Sequence, residues 1–286
     1  MDSTPTPVQH DGAGKLAGRV ALVTGVGHGL GAATLELFAR EGATVVGCCR
    51  TAEDGQATLA RVTEAGGRGL FVRADVAESR DVRHLIDMTL ERFGRLDVVV
   101  NNAAIGMSSR FHTGAICEIP DEDFDEVVRV NLGSVFRVCK YAIPPMIEGG
   151  GGVIVNISST SSVVGFPQNH NYSAAKAGVN SLTQSIAVRY GPEGIRANCI
   201  VMGGVDTPMI ASLMPVWNEV MKDDAQRFQV NPMGRISQPE EMAKSLLFAA
   251  SDDSSFMNGA SIAIDGGQVI APVAHIPGIE HPEDSR

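Results

Sequence analysis

Residues Arg19–Glu41 read RVALVTGVGHGLGAATLELFARE, and this stretch decides the fold. Arg19 to Thr24 is a short apolar run that reads as a buried strand. Gly25-Val26-Gly27-His28-Gly29-Leu30-Gly31 is a glycine-rich turn, and Ala32 to Glu41 is a helix closed by Gly42. A strand that turns through glycines into a helix presents unpaired backbone N–H groups and the positive end of the helix dipole beside the strand's end. Glycine lets a ligand approach that backbone closely, so the turn suits a phosphate. The spacing is Gly-x-x-x-Gly-x-Gly, not the more familiar Gly-x-Gly-x-x-Gly. Its place between the first strand and an amphipathic helix favours nucleotide binding over a purely structural turn.

Strands and helices alternate outward from this stretch. Strands are expected at Thr44–Cys49, Gly69–Arg73, Leu96–Val100, from Val153 to Ile157, at Ile195–Ile200 and at Ser261–Ile264. Helices are expected at Ala52–Ala65, from a capping Ser79 to Phe93, and at Pro239–Ala250. One long helix should run from Asp121 through Asn131 to about Pro144-Pro145. Another carries Tyr172 and Lys176, after a polar segment from Ser158 to Ser162. The strands are continuous apolar runs, the pattern of a parallel sheet covered on both faces. The expectation is therefore an α/β fold: a doubly wound parallel sheet of the Rossmann type, in three layers, as a single domain over residues 15–270. Residues 1–14 and 271–286 read as tails, the first of them disordered, and the Met-rich stretch 208–230 as a helical lid.

Composition narrows the function classes. The chain has 286 residues, 44% hydrophobic and 20% charged, with a net charge of −10. That charge argues against nucleic acid or an anionic membrane as the main partner. The five cysteines form no Cys-x-x-Cys pair, and the seven histidines show no ligand spacing, so no catalytic metal is expected. The N-terminus is polar and no run reaches the length of a membrane span, which points to the cytoplasm.

Two features carry chemistry. The second strand ends in Cys48-Cys49-Arg50, with no carboxylate where a dinucleotide-binding sheet would place one for the ribose 2′-hydroxyl. An arginine there pairs with a 2′-phosphate, which favours NADP(H) over NAD(H). Tyr172 and Lys176 are four apart on one helix and share a face. An ammonium beside a phenol lowers the phenol's pKa, as a general acid/base requires.

These pieces, in this order, resemble the short-chain dehydrogenases/reductases. The matching residues are Thr24-Gly25-x-x-x-Gly29-x-Gly31, Asp75-Val76, Asn101-Asn102-Ala103-Ala104, Asn131, Ser159, Tyr172-x-x-x-Lys176 and Val205-Asp206-Thr207. Gly234-Arg235, Pro239-Glu240-Glu241 and Asp265-Gly266-Gly267 follow. The resemblance implies that Tyr172 protonates a carbonyl oxygen, or takes the proton in the reverse direction. It implies that Lys176 lowers the Tyr172 pKa and holds the nicotinamide ribose, that Ser159 binds the substrate oxygen, and that Asn131 holds a water leading to Lys176. Gly25, Gly27, His28, Gly29 and Leu30 would hold the cofactor's phosphates. Asp75 and Val76 would bracket the adenine, Asn101 would fix the end of the fourth strand near the adenosine ribose, Asn102 would bind the cofactor, and Val205 and Thr207 would contact the nicotinamide carboxamide.

The resemblance also implies a homotetramer built on the helices near 121–148 and 172–190. The chain departs from the family at Ala104, at Met202 and in a longer loop over 105–120. The lid, with Met209, Ile210, Leu213, Met214, Val216, Trp217 and Met221, suits an apolar or aromatic ketone or secondary alcohol; His112, Gln168 and His170 would edge the pocket. The expected function is an NADP(H)-dependent carbonyl reductase. An NAD-dependent alcohol dehydrogenase on the same residues is the alternative. A non-catalytic nucleotide-binding regulator has no need of Asn131, Ser159, Tyr172 and Lys176 together.

Overall fold

The computed structural model describes residues 14–106, 114–166, 168–211, 231–233 and 235–270. Within them, strands β1 (Val20–Thr24), β2 (Thr44–Cys49), β3 (Arg68–Arg73), β4 (Val98–Asn101), β5 (Gly152–Ser159), β6 (Ile195–Met202) and β7 (Ser261–Ile264) pair in parallel. The strand order is β3-β2-β1-β4-β5-β6-β7. The chain therefore winds outward from β1 in one direction and then, from β4, in the other. Ligands of such sheets bind beyond the strand ends at that reversal.

The helices are α1 (Gly29–Arg40), α2 (Ala52–Glu64), α3 (Ser79–Phe93), α4 (Asp121–Asn131), α5 (Gly133–Glu148), α6 (His170–Tyr190), α7 (Pro208–Ala211) and α8 (Pro239–Ala250). β1 shows why three layers form. Ala21 and Val23 point to a core shared with Leu35 and Phe38 of α1 and Leu246 of α8. Val20 and Leu22 point to the opposite core, shared with Leu85 of α3, Val138 of α5 and Ile186 of α6. Both faces of the strand are buried, so no polar alternation survives in its sequence.

Several elements differ from the sequence-based expectation. α1 begins at Gly29, three residues before Ala32, because the turn is tighter than its glycines suggest. The expected long helix is two: the backbone breaks at Leu132 (φ −105°, ψ −46°), directly after Asn131. Pro144 and Pro145 lie inside α5, which continues to Glu148, rather than ending it. Ser79 is the first residue of α3, not its cap; Glu78 holds the cap position without a side-chain bond. β5 continues through Ser158 and Ser159, which pair with Val201 and Met202 of a β6 that is itself two residues longer than expected. Thr160–Ser162 then form a single 3-10 turn. Of the lid, α7 is helical, and residues 212–230 lie outside the described residues, as do 1–13 and 271–286.

Candidate active site

The phosphate turn is built by close approach. Gly25 has φ +74°, and a Cβ on it would lie 2.9 Å from the Ala103 Cα. A Cβ on Gly31 would lie 2.1 Å from the Gly25 carbonyl oxygen. Asn102 holds the turn from β4: its Nδ2 donates to the carbonyls of Thr24 (2.9 Å) and Gly25 (3.1 Å). Thr24 Oγ1 accepts in return from the N–H groups of Asn102 and Ala103, both at 3.0 Å. At the entrance to α1, His28 makes no side-chain cap bond and the first turn holds no acid. The helix therefore opens with its N–H groups free of side-chain acceptors and with positive partial charge, which fits a phosphate.

One cleft of about 360 Å³ runs over the strand ends. On the side of β1, β2 and β3 it is lined by Gly25, Gly27, His28, Gly29, Leu30 and Arg50, and by Asp75 and Val76. Asn102 lies at its middle, and Ser159, Tyr172, Lys176, Val205 and Thr207 line the other half. The residues read as cofactor-binding thus line one cleft.

Two asparagines stand outside the cleft lining. Asn101 is buried away from the cleft, and its Nδ2 donates to Asn156 Oδ1 at 2.8 Å, joining β4 to β5. The bond fixes the end of β4 within the sheet. Asn131 is fully buried and does not line the cleft. Its Oδ1 accepts from the Ile105 N–H (2.8 Å) and its Nδ2 donates to the Ile105 carbonyl (2.9 Å). It fixes the chain leaving β4, just where α4 breaks into α5.

At the reacting end, Lys176 Nζ donates to the Ile157 carbonyl at 2.9 Å and stands 5.7 Å from the centre of the Tyr172 ring. Ser159 Oγ accepts from Ser161 Oγ at 3.0 Å. Burial pushes the Tyr172 phenol up to about 12, opposed by its hydrogen bond with Ser159. The same burial brings the Lys176 ammonium down to about 8. The expected lowering of the phenol by Lys176 does not hold: the ammonium is turned to a backbone carbonyl, and desolvation outweighs it. The phenol is thereby held in its acid form.

Several cleft residues escaped sequence reading, three of them with charged or amide side chains. Asp54, in the first turn of α2, brings a carboxylate to the rim beside Gly27, where a Gly27 Cβ would lie 3.2 Å from the Asp54 Cβ. No motif marks it. Gln268 arrives from the turn after β7, and Asn169 precedes α6. Gln168 and His170, which were expected at the pocket edge, are not among its described lining residues; the residue between them is. Gln168 instead offers its carbonyl to the Gly114 N–H at 3.2 Å. His112 lies outside the described residues, among which no three His, Cys, Asp or Glu side chains come together as a metal site. No helix among them is long and apolar enough to cross a membrane.

A protein-family model described as enoyl-(acyl carrier protein) reductase matches residues 25–268. A cis-4-hydroxycyclohexanecarboxylate dehydrogenase of Sinomonas cyclohexanicum is 41% identical over 251 residues, 88% of this chain and 96% of the relative. The chain belongs to the short-chain dehydrogenase/reductase family. Within that family, a 2,5-dichloro-2,5-cyclohexadiene-1,4-diol dehydrogenase of Sphingobium indicum is 36% identical over 89% of this chain and 98% of its own. The crystal structure of levodione reductase superposes with a TM-score of 0.82 at 35% identity, covering 90% of this chain and all of that one. As a short-chain dehydrogenase/reductase, the protein is an oxidoreductase acting on CH–OH and C=O groups with a nicotinamide cofactor.

Proposed function

We propose that the protein is an NADP(H)-dependent carbonyl reductase that interconverts a ring ketone and its secondary alcohol. The observation that carries this reading is the meeting of the Ser159 hydroxyl, the Tyr172 phenol and the Lys176 ammonium in the cleft whose other half is the phosphate turn. A bound reduced nicotinamide supplies the hydride. Ser159 donates a hydrogen bond to the substrate oxygen, and Tyr172 gives it a proton. The charge on Lys176 stabilises the phenolate left behind. Phe166, Met202, Met209 and Ile210 line the same cleft and suit an apolar ring. The two ring-alcohol dehydrogenases among the relatives support the same class. The test is oxidation of NADPH with a panel of cyclic ketones; no turnover on any of them would overturn the reading.

Arg50 supports the phosphorylated cofactor, and Asp54 on the same rim favours the rival NAD(H) reading, since its carboxylate repels a 2′-phosphate. Arg50→Ala is expected to weaken NADPH binding about tenfold, by loss of a charge-assisted bond. Asp54→Asn should strengthen it. Titration of both variants with NADPH and NADH checks this, and unchanged NADPH affinity in Arg50→Ala would leave NAD(H) the better reading.

The pH profile offers a separate check. Lys176 is charged below about 8 and the Tyr172 phenol keeps its proton to about 12. The rate of ketone reduction should therefore be level from mildly acidic pH to about 8 and fall above it, as the ammonium is lost while the acid remains. A rate that climbs through this range would contradict the roles given to the pair.

We read the assembly as a cytoplasmic homotetramer. Phe124 of α4, Phe136 of α5 and Val188 of α6 are large exposed apolar residues on the helices expected to pack between subunits, and they support it.

A further inference from the structure

Asn169 holds the position before α6 where an asparagine ordinarily caps a helix. It does not cap this one. The Tyr172 N–H, which such a cap would satisfy, is taken at 2.8 Å by Asn171 Oδ1. Asn169 is 6% exposed and lines the cleft, and its Oδ1 is buried with no hydrogen-bond partner. Its side-chain amide makes no hydrogen bond to any described residue. A buried amide left in that state costs on the order of a lost hydrogen bond unless something else meets it. It lies one helical turn before Tyr172, on the wall of the reacting half.

A second amide reaches the same half from the other end of the chain. The Asp265 carboxylate accepts from the N–H groups of Gly267 (2.9 Å) and Val269 (2.7 Å), fixing the turn that carries Gln268. Gln268 Oε1 accepts from Thr160 Oγ1 at 3.4 Å, next to Ser159. This orients the carboxamide and leaves its NH₂ group to donate. Among the described residues of this half the only cation is Lys176, which is directed to the Ile157 carbonyl. Among the described residues a carboxylate would meet no partner charge, whereas a hydroxyl or ketone finds donors and an acceptor suited to it.

We propose that the amides of Asn169 and Gln268 bind a second, uncharged oxygen function of the substrate, a hydroxyl or ketone on the same ring as the reacting carbon. This rests on the carbonyl-reductase reading above. The enzyme would then separate bifunctional rings from plain ones, because a site built to hydrogen-bond an oxygen is left unpaired by a substrate that lacks it.

The test compares kcat/KM for cyclohexane-1,4-dione and for cyclohexanone. The wild-type protein should prefer the dione by about tenfold or more, beyond the twofold expected from its two equivalent carbonyls. Asn169→Leu should lower that ratio about tenfold, mainly through KM for the dione. Gln268→Leu, at a partly exposed position where folding is not at stake, should lower it in the same sense. A wild-type ratio near two, or a ratio unmoved in Gln268→Leu, would overturn the assignment while leaving the reductase reading intact. A protein inert on both ketones would overturn the assignment, and one inert on the whole panel of cyclic ketones would overturn the reductase reading with it.

Discussion

Tyr172→Phe is expected to lower the rate of ketone reduction about a thousandfold, with the far-UV circular dichroism unchanged. The substitution removes one hydroxyl and no packing. Ser159 would still offer its hydrogen bond to the substrate oxygen, and the cleft would still orient the ring. What disappears is the proton that neutralises the developing alkoxide, so the deficit should fall on kcat rather than KM. The phenol is well suited to that task at neutral pH, because burial keeps it protonated. The same burial makes the reverse reaction harder to start, since phenolate must then form in the cleft. On the proposed roles, the charge on Lys176 would ease it. A variant that kept a tenth or more of wild-type kcat would show that water or Ser159 is the proton donor.

Gly31→Ala should be severely damaging. Its Cβ would stand 2.1 Å from the Gly25 carbonyl oxygen and 2.6 Å from Asn102 Nδ2. Neither neighbour is a flexible chain end. One is backbone held in a left-handed turn, and the other is already bonded to Thr24 and Gly25. Relief requires α1 to move away from β1, and forced repacking of this kind costs about 3 kcal/mol. In a domain of this size that corresponds to a fall in Tm of roughly 6–12 °C. The displaced turn would also no longer present its N–H groups together, so nucleotide affinity should drop by about a hundredfold or more, a loss of two or more charge-assisted bonds. Calorimetry with and without cofactor measures both effects. Gly31→Ala with wild-type Tm and affinity would show that the contact is not the reason for glycine there.

The fold was largely legible because its five central strands are buried on both faces and its helices on one, so each of these elements carries its own period. The doubly wound parallel sheet follows from that alternation alone. Boundaries failed where the deciding force is not periodic. The break at Leu132 interrupts an apolar pattern that continues across it. β5 and β6 lengthen each other through backbone pairing, to which Ser158 and Ser159 are indifferent. Within the site, residues marked by spacing, such as Tyr172 with Lys176 or the turn glycines, could be read directly and lie on one cleft. Asn101 and Asn102 are adjacent and look alike in sequence; strand alternation sends one into the sheet and the other to the cleft. Asp54, Asn169 and Gln268 carry no signature, because nothing in their neighbours' chemistry reveals which way they face. The pKa of Tyr172 could not be read from a Lys at helical spacing, since its sign depends on how much water the fold excludes.

The strand order has a consequence for how such a protein can change. Every described residue on the β1–β3 side of the cleft precedes residue 77, and on the Tyr172 side every described residue except the Ala103–Gly106 and Val130 stretch follows residue 156. On the proposed function, nucleotide preference and substrate preference would be written in separate stretches of one chain, joined at the β4–β5 seam. A recombination event at that seam would hand a relative's substrate range to this cofactor site while the turn bonded by Thr24 and Asn102 stayed whole. One fold can in this way inherit its two specificities from different parents.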